Sequence, residues 1–137
     1  MFTALETSLK DLLAGAVAGA PVFGTFDFLD FTGQGAPTVA VRVDWAGFVP
    51  RSRKDDALLG DQQFAVTVVV NAIRVRPVDR AAAVVGIKTL LERLVGWRPR
   101  EHLQVQIDPG APSAEAPGLW LYTINLTIPD TVIRASS

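Results

Sequence analysis

The 137-residue sequence contains no cysteine. That removes disulfides, thiolate nucleophiles and thiolate metal sites, and it leaves the redox compartment unmarked. Histidine is nearly absent too: His102 stands alone, so no second imidazole can share a metal with it, and a lone histidine beside strand residues is ordinarily structural or exposed. Charge of either sign is scarce. With 13 basic and 14 acidic residues the net charge is −1, which gives no electrostatic footprint for nucleic acid. No apolar run approaches the roughly 20 residues of a membrane span. The N-terminus has no basic region ahead of an apolar run, because Glu6, Lys10 and Asp11 interrupt it; it does not read as a signal peptide, and a cytoplasmic origin is the default expectation.

What is abundant is apolar. Hydrophobic residues make up 49% of the chain before its 11 glycines are counted, charged residues only 20%, and mean hydropathy is +0.28. Ordinary soluble domains reach about 45–50% apolar with glycine included and about 25% charged. A domain of this size cannot hide so much apolar surface alone, which favours burial against further copies over a merely Ala- and Val-rich composition.

The chain turns on residues 62–97. Phe64, Val66, Val68, Val70 and Ala72 alternate with Ala65, Thr67, Val69 and Asn71, as suits a strand covered on both faces. Pro77 closes it, and Asp79 is placed to cap a helix whose Val84, Ile87, Leu91, Leu94 and Val95 share a face. Gly96 and Pro99 end that helix. Before this unit, residues 2 to about 18 predict an amphipathic helix with Phe2, Leu5, Leu9, Leu12 or Leu13, and Ala16 inward. Residues 22–31 hold Phe23, Phe26, Phe28 and Phe31 and predict a short strand or extended arm. Thr38 to Trp45 predicts a half-buried strand with Val39, Val41, Val43 and Trp45 on one side.

Gly47 to Asp61 predicts a long connection around Arg51-Ser52-Arg53-Lys54-Asp55-Asp56, and loops of that length tend to be functional or mobile. After the helix, His102 to Ile107 predicts a short strand and Asp108 to Gly118 a loop rich in proline and glycine. Leu119 to Ile128 predicts the last strand, with Trp120, Tyr122, Ile124, Leu126 and Ile128 on one side; Pro129 stops it and residues 130–137 form a loose tail. The sum is an α+β single domain spanning 1–137, with its core in about 2–129. It has a mainly antiparallel sheet of four to five strands with two helices on one face.

No constellation for catalysis, cofactor or metal emerges. Gly33-Gln34-Gly35 lacks the rest of a phosphate loop, the serines lack an elbow setting, and neither Asp27-x-x-Asp30 nor Asp55-Asp56 has the loop spacing of a carboxylate metal site. The expectation is a chain that is not an enzyme, with no cofactor and no catalytic or metal-binding residue. More informative is the outward side of the central and last strands. There Ala65, Thr67, Val69 and Asn71, with Leu121, Thr123, Asn125 and Thr127, make a small, mildly polar surface that suits close approach of a subunit or of a second layer within the chain.

The order of elements resembles the tail terminator, or tail completion, proteins of tailed bacteriophages, in particular the Mu-like group with contractile tails. The resemblance runs over residues 2–129. It is carried by the leading helix, Ala36-Pro37-Thr38-Val39-Ala40-Val41, the charged loop, Gln63-Phe64-Ala65-Val66-Thr67-Val68-Val69-Val70, the helix end Leu90-Leu91-Glu92-Arg93-Leu94-Val95-Gly96-Trp97, and Gly118-Leu119-Trp120-Leu121-Tyr122-Thr123-Ile124-Asn125-Leu126. It rests on this pattern and on no signature motif; residues 23–31 and the loop around Pro112 match no family motif.

The resemblance implies a virion protein at the head-proximal end of the tail, assembled in the host cytoplasm. It would form a homo-oligomeric ring, a hexamer, that caps the tube, ends tube and sheath polymerisation and meets the head's connector or neck, with no membrane and no sequence-specific nucleic-acid contact. From exposure and chemistry, Phe26, Phe28, Phe31, Ala65, Thr67, Val69, Asn71, Thr123 and Asn125 are the candidates for subunit contact. Arg51, Arg53, Lys54, Asp55 and Asp56 are the candidates for tube, sheath or neck contact. Two other readings stay open: another neck ring of a phage or phage-derived injection machine, and a small-ligand module with Phe26, Phe28, Trp45 and Trp120 as its pocket.

Overall fold

A computed structural model describes residues 2–25, 38–71, 76–99, 105–110, 112–116 and 118–135. The elements are α1 (Phe2–Leu13), β1 (Val22–Phe23), β2 (Val39–Lys54), β3 (Ala57–Asn71), α2 (Pro77–Gly96), β4 (Gln106–Asp108), β5 (Pro112–Ala116) and β6 (Leu119–Arg134). The strands form one sheet in the order β1-β2-β3-β6-β4, with β5 also on β6. Among the described residues only the β1–β2 pair is parallel. The α+β single domain holds, with six strands among the described residues, three of them short.

Alternation along the three long strands fixes one face for the core. Val41 and Val43 of β2, Phe64, Val66 and Val68 of β3 and Ile124 of β6 are fully buried, and they share one apolar cluster with Leu9 and Leu13 of α1 and Leu90 and Leu94 of α2. Both helices therefore cover the same face. α1 ends at Leu13, earlier than the pattern predicts. Gly15 (φ 76°) and Gly19 (φ 73°) break the helix into two successive turns that still bury Ala16 and Val17. The carbonyls at the end of α1 are met by Arg93 of α2, whose Nη1 donates to Leu12 O at 3.0 Å and to Ala14 O at 2.8 Å; these are the groups a helix C-terminus leaves without partners.

The predicted face of α2 needs correcting by about one residue. Ala83, Gly86, Leu90 and Leu94 are buried, Ile87 and Leu91 flank them, and Val84 and Val95 point to solvent. The small residues win the inward positions because α2 lies close to the turn after α1. A side chain at 86 would press on Val17, whose Cα lies 2.9 Å from where a Cβ would stand. The helix start also moves. Arg76 is the N-cap with no side-chain capping bond, and Pro77 sits in the first turn, where its missing N–H costs nothing. Asp79 bonds the Arg76 guanidinium at 2.9 and 3.2 Å rather than capping the helix.

The long charged loop is not a loop. β2 runs on to Lys54 and β3 begins at Ala57, so Asp55-Asp56 is a two-residue turn, with Asp55 in the left-handed region at φ 52°. Bulges between Trp45 and Gly47 and between Pro50 and Ser52 let the strand carry Gly47 and Pro50 without losing its ladder. β6 likewise does not stop at Pro129. It continues to Arg134 beside Ala57, and Ala135 N donates to Asp56 O at 2.7 Å. Pro129 and Asp130 lie in a bulge opposite Asp61, between the pairs Gln62–Ile128 and Gly60–Thr131, where a proline removes no ladder bond. Residues 130–134 are thus strand, not tail.

The proline-rich loop also carries structure. β4 pairs with residues 125–127 of β6 and β5 with residues 119–122. The two run in the same direction along one edge of β6, interrupted after Asp108. At the break Gly110 (φ 66°) takes a bond from its N–H to Asp108 Oδ1 at 3.1 Å and passes close against Thr123 O.

Candidate assembly surfaces

Two surfaces follow from this topology: the side of the sheet turned away from the helices, and the three-stranded arm made by the far ends of β2, β3 and β6.

On the outward side the ladder aligns side chains in rows. Arg42, Thr67 and Thr123 form one, and Asp44, Ala65, Asn125 and Asp108 the next. Thr67 and Thr123 hydroxyls are 3.3 Å apart, and Arg42 Nη2 meets Asp44 Oδ1 at 3.3 Å. A third row, Gln63, Thr127 and Gln106, borders a shallow groove of about 410 Å³ that Ala46, Asp108 and Asn125 also line. The chemistry is amide, hydroxyl and one carboxylate.

The six outward residues of the predicted subunit contact do not share one environment. Ala65, Thr67 and Thr123 are half-buried and Asn125 is exposed, so these four are open to a neighbour. Val69 and Asn71 are buried at 4% and 5% exposure; Val69 packs with Ala40 under Phe23, Leu119 and Leu121. They have little surface left to offer. Phe26, Phe28 and Phe31 lie outside the described residues, as does His102.

In the arm, the candidate contact residues spread along a hairpin instead of clustering on a loop. Arg51 forms an ion pair with Asp61, Nε to Oδ1 3.1 Å, while Arg53, Lys54, Asp55 and Asp56 are exposed at the tip. The tip encloses a recess of about 310 Å³ with Arg53, Asp55, Asp56 and Arg134 on its wall. The root of the arm is tied by a bond between buried side chains, Gln62 Nε2 to Thr131 Oγ1 at 3.2 Å. Gly60 is buried where β3 crosses β2: a Cβ there would stand 2.7 Å from Phe48 Cζ and 2.8 Å from Pro50 Cα. Among the described residues no strand pairs with the outer edge of β2 beyond Trp45, whose N–H is held by Thr25 Oγ1 at 2.9 Å. Pro50, the two bulges and the charged tip are the devices by which an edge strand resists unselective pairing.

The aromatic pocket of the small-ligand reading finds no support in its described members. Trp45 stands opposite Phe64 and Trp120 opposite Val70, six residues apart along β3, or about 20 Å at strand rise. Trp120 instead stacks on Tyr122 at 6.4 Å and packs on the core. Among the described residues no three potential ligands converge for a metal, and no helix is long and apolar enough to cross a membrane. Among the described residues the ionisable pair with a displaced titration is Arg76 with Asp79. The hydrogen bond from Arg76 holds the Asp79 carboxyl below its ordinary value; Arg76 is exposed and Asp79 half-buried. That is a helix-terminus pair, not an acid–base device.

Residue patterns alone missed the arm, β5 and the extension of β6. A usable signal lay in the pairing partners: Leu58, Leu59, Val132 and Ile133 are too apolar for a loop and a tail, and Leu58 pairs with Ile133 and Leu59 with Val132.

No family model matches the sequence, and no curated protein matches it. Among solved structures, the chain is similar to one in the virion of a native gene transfer agent particle, at 16% identity and a TM-score of 0.57, over 92% of this chain and 93% of that one. At that identity the likeness is one of fold.

Proposed function

We propose that this chain is a structural subunit of a phage-like virion, and more narrowly a tail terminator: a ring, six-fold, that caps the tail tube. The observation that carries the reading is the end-to-end match of fold to a chain of a gene transfer agent virion. The terminator pattern in the sequence and the high apolar content point the same way. In this reading the protein works by shape and has no catalytic role or cofactor. A heterologous interface closes on itself after a fixed number of copies. The outward rows at Ala65, Thr67, Thr123 and Asn125 lie against a neighbour in the ring, while the arm tip, with Arg53, Lys54, Asp55 and Asp56, reaches toward tube, sheath or neck. Residues at the tip can vary in charge to suit a partner without touching the core that holds the fold.

The same fold serves a second reading, a ring elsewhere in the neck of a phage or of a phage-derived contractile machine. One experiment separates the readings in two stages. Native mass spectrometry and negative-stain imaging of the purified protein should give a closed six-fold ring. Adding that protein to polymerising tail-tube subunits should then shorten the tubes and mark one end. Rings that leave tube length unchanged move the assignment to the neck. A protein that stays monomeric at high concentration, alone and on tubes, refutes both.

A further inference from the structure

The outward side of α2 carries a pattern that neither the core nor the ring uses. Val84, Val85 and Val95 are 66%, 65% and 63% exposed, although β-branched residues on an unpartnered helix surface are poor helix formers and leave apolar area in water. Between them lie Lys88 and Glu92, whose head groups are 3.7 Å apart and mostly solvated. Val85, Lys88, Glu92 and Val95 follow a 3-4-3 spacing, which at 3.6 residues per turn keeps them on one stripe directly opposite the buried Ala83, Gly86, Leu90 and Leu94.

The stripe is its own complement when read backwards. Turned end for end about the height of residue 90, it sets Val85 against Val95 and Lys88 against Glu92 of the other copy. We infer that this face of α2 is a two-fold contact with a second copy of this chain, the two helices antiparallel. The charge arrangement selects that occupant. A parallel pairing in register would set Lys88 on Lys88 and Glu92 on Glu92, and like charges placed face to face oppose association. Within one helix the Lys88–Glu92 pair has lysine on the N-terminal side, the less favourable orientation, so exchanging it for two pairs across the contact loses little. A two-fold contact is isologous and pairs copies without propagating, unlike the heterologous contact of a ring. Each can exist without the other.

Because the chain has no cysteine, Val85→Cys and Val95→Cys each give a protein with a single thiol. Mixed in equal amounts and oxidised with copper phenanthroline, they should give the mixed 85–95 dimer in large excess over the two symmetric dimers. The antiparallel contact separates each residue from its own counterpart by about 15 Å, beyond disulfide reach. Symmetric dimers in excess, or a purely statistical mixture, overturn the proposal. Charge exchange tests the same contact without oxidation. Lys88→Glu should weaken pairing by roughly tenfold or more in sedimentation velocity, and the double variant Lys88→Glu, Glu92→Lys should restore it; a double variant no better than the single one refutes the contact. Circular dichroism checks that each variant keeps its helices. A ring seen without the selective cross-link removes this contact and leaves the ring standing, and the cross-link without a ring does the reverse.

Discussion

Replacing Gly60 with alanine tests whether the charged stretch is an arm of the sheet. Gly60 sits between the two bulges, paired with Pro50 on one side and Thr131 on the other. An added Cβ would press on Val49 O, stand 2.8 Å from Pro50 Cα and 2.7 Å from Phe48 Cζ. Two of those three atoms are backbone of β2, so relief requires the strands to separate. Overpacking of this kind costs about 1–3 kcal/mol, and the backbone contacts put Gly60→Ala at the upper end. For a chain of this length an unfolding entropy of about 2.1 cal/mol/K per residue converts 1 kcal/mol into roughly 3–4 °C, so the melting temperature should fall by about 7–10 °C. Urea denaturation should show a lower midpoint with an unchanged slope. Gly15→Ala is the control: its φ of 76° is strained for alanine, but the space is open, so its cost should stay near 1–2 kcal/mol. If Gly60→Ala unfolds within about 0.5 kcal/mol of the parent, β3 does not cross β2 this closely and the arm is wrong.

Four further outcomes follow from the packing. Arg93→Met should cost about 1–3 kcal/mol in urea melts, because it leaves the Leu12 and Ala14 carbonyls at the end of α1 without the donor that meets them. Gly86→Ala should cost about 1–3 kcal/mol, and Val17→Ala should relieve part of that by removing Cγ2 at 2.6 Å while Cα and Cβ stay at 2.9 Å; a larger cost in the Val17→Ala background would exclude that contact. Thr131→Val should cost about 1–2 kcal/mol by removing the buried acceptor of Gln62 Nε2. The Arg76–Asp79 pair supports the start of α2 at pH above the ordinary carboxylate range. Since the folded-state value of Asp79 is depressed, that support fades only as pH falls through the lowered value, and Asp79→Asn should remove this part of the acid dependence of helicity measured by circular dichroism.

The inward alternation was legible because one face of each long strand meets two helices. Val41, Val43, Phe64, Val66, Val68 and Ile124 could not be moved to the other face by a slip of one residue without exposing all of them. The arm was hidden by its chemistry. Arg51 to Asp56 has the composition of a loop tip, and Gly47, Pro50, Gly60 and Pro129 carry the punctuation of loops. Yet each of those four sits at or beside a bulge, where the ladder asks for no proline donor and where, at Gly60, there is no room for a side chain. Turn residues mark where a strand is irregular as readily as where it ends.

The face of α2 failed for a different reason, and the failure bears on the assembly surfaces. Ala83 and Gly86 turn inward because the chain after α1 passes close by, which is a property of tertiary contact; size alone points the opposite way and draws Val84 and Val95 toward the core. Once the helix is set by contact, its large residues are left outside, on the stripe that pairs with itself. On the sheet the converse holds. Val69 and Asn71 alternate with the core residues as outward positions should, but Phe23, Leu119 and Leu121 close over the Val69 end of that side, so periodicity could show which face they are on and not whether it is open. A partner's surface is defined by what the fold leaves uncovered, and that depends on segments distant in sequence. Alternation within one strand or helix carries no record of them.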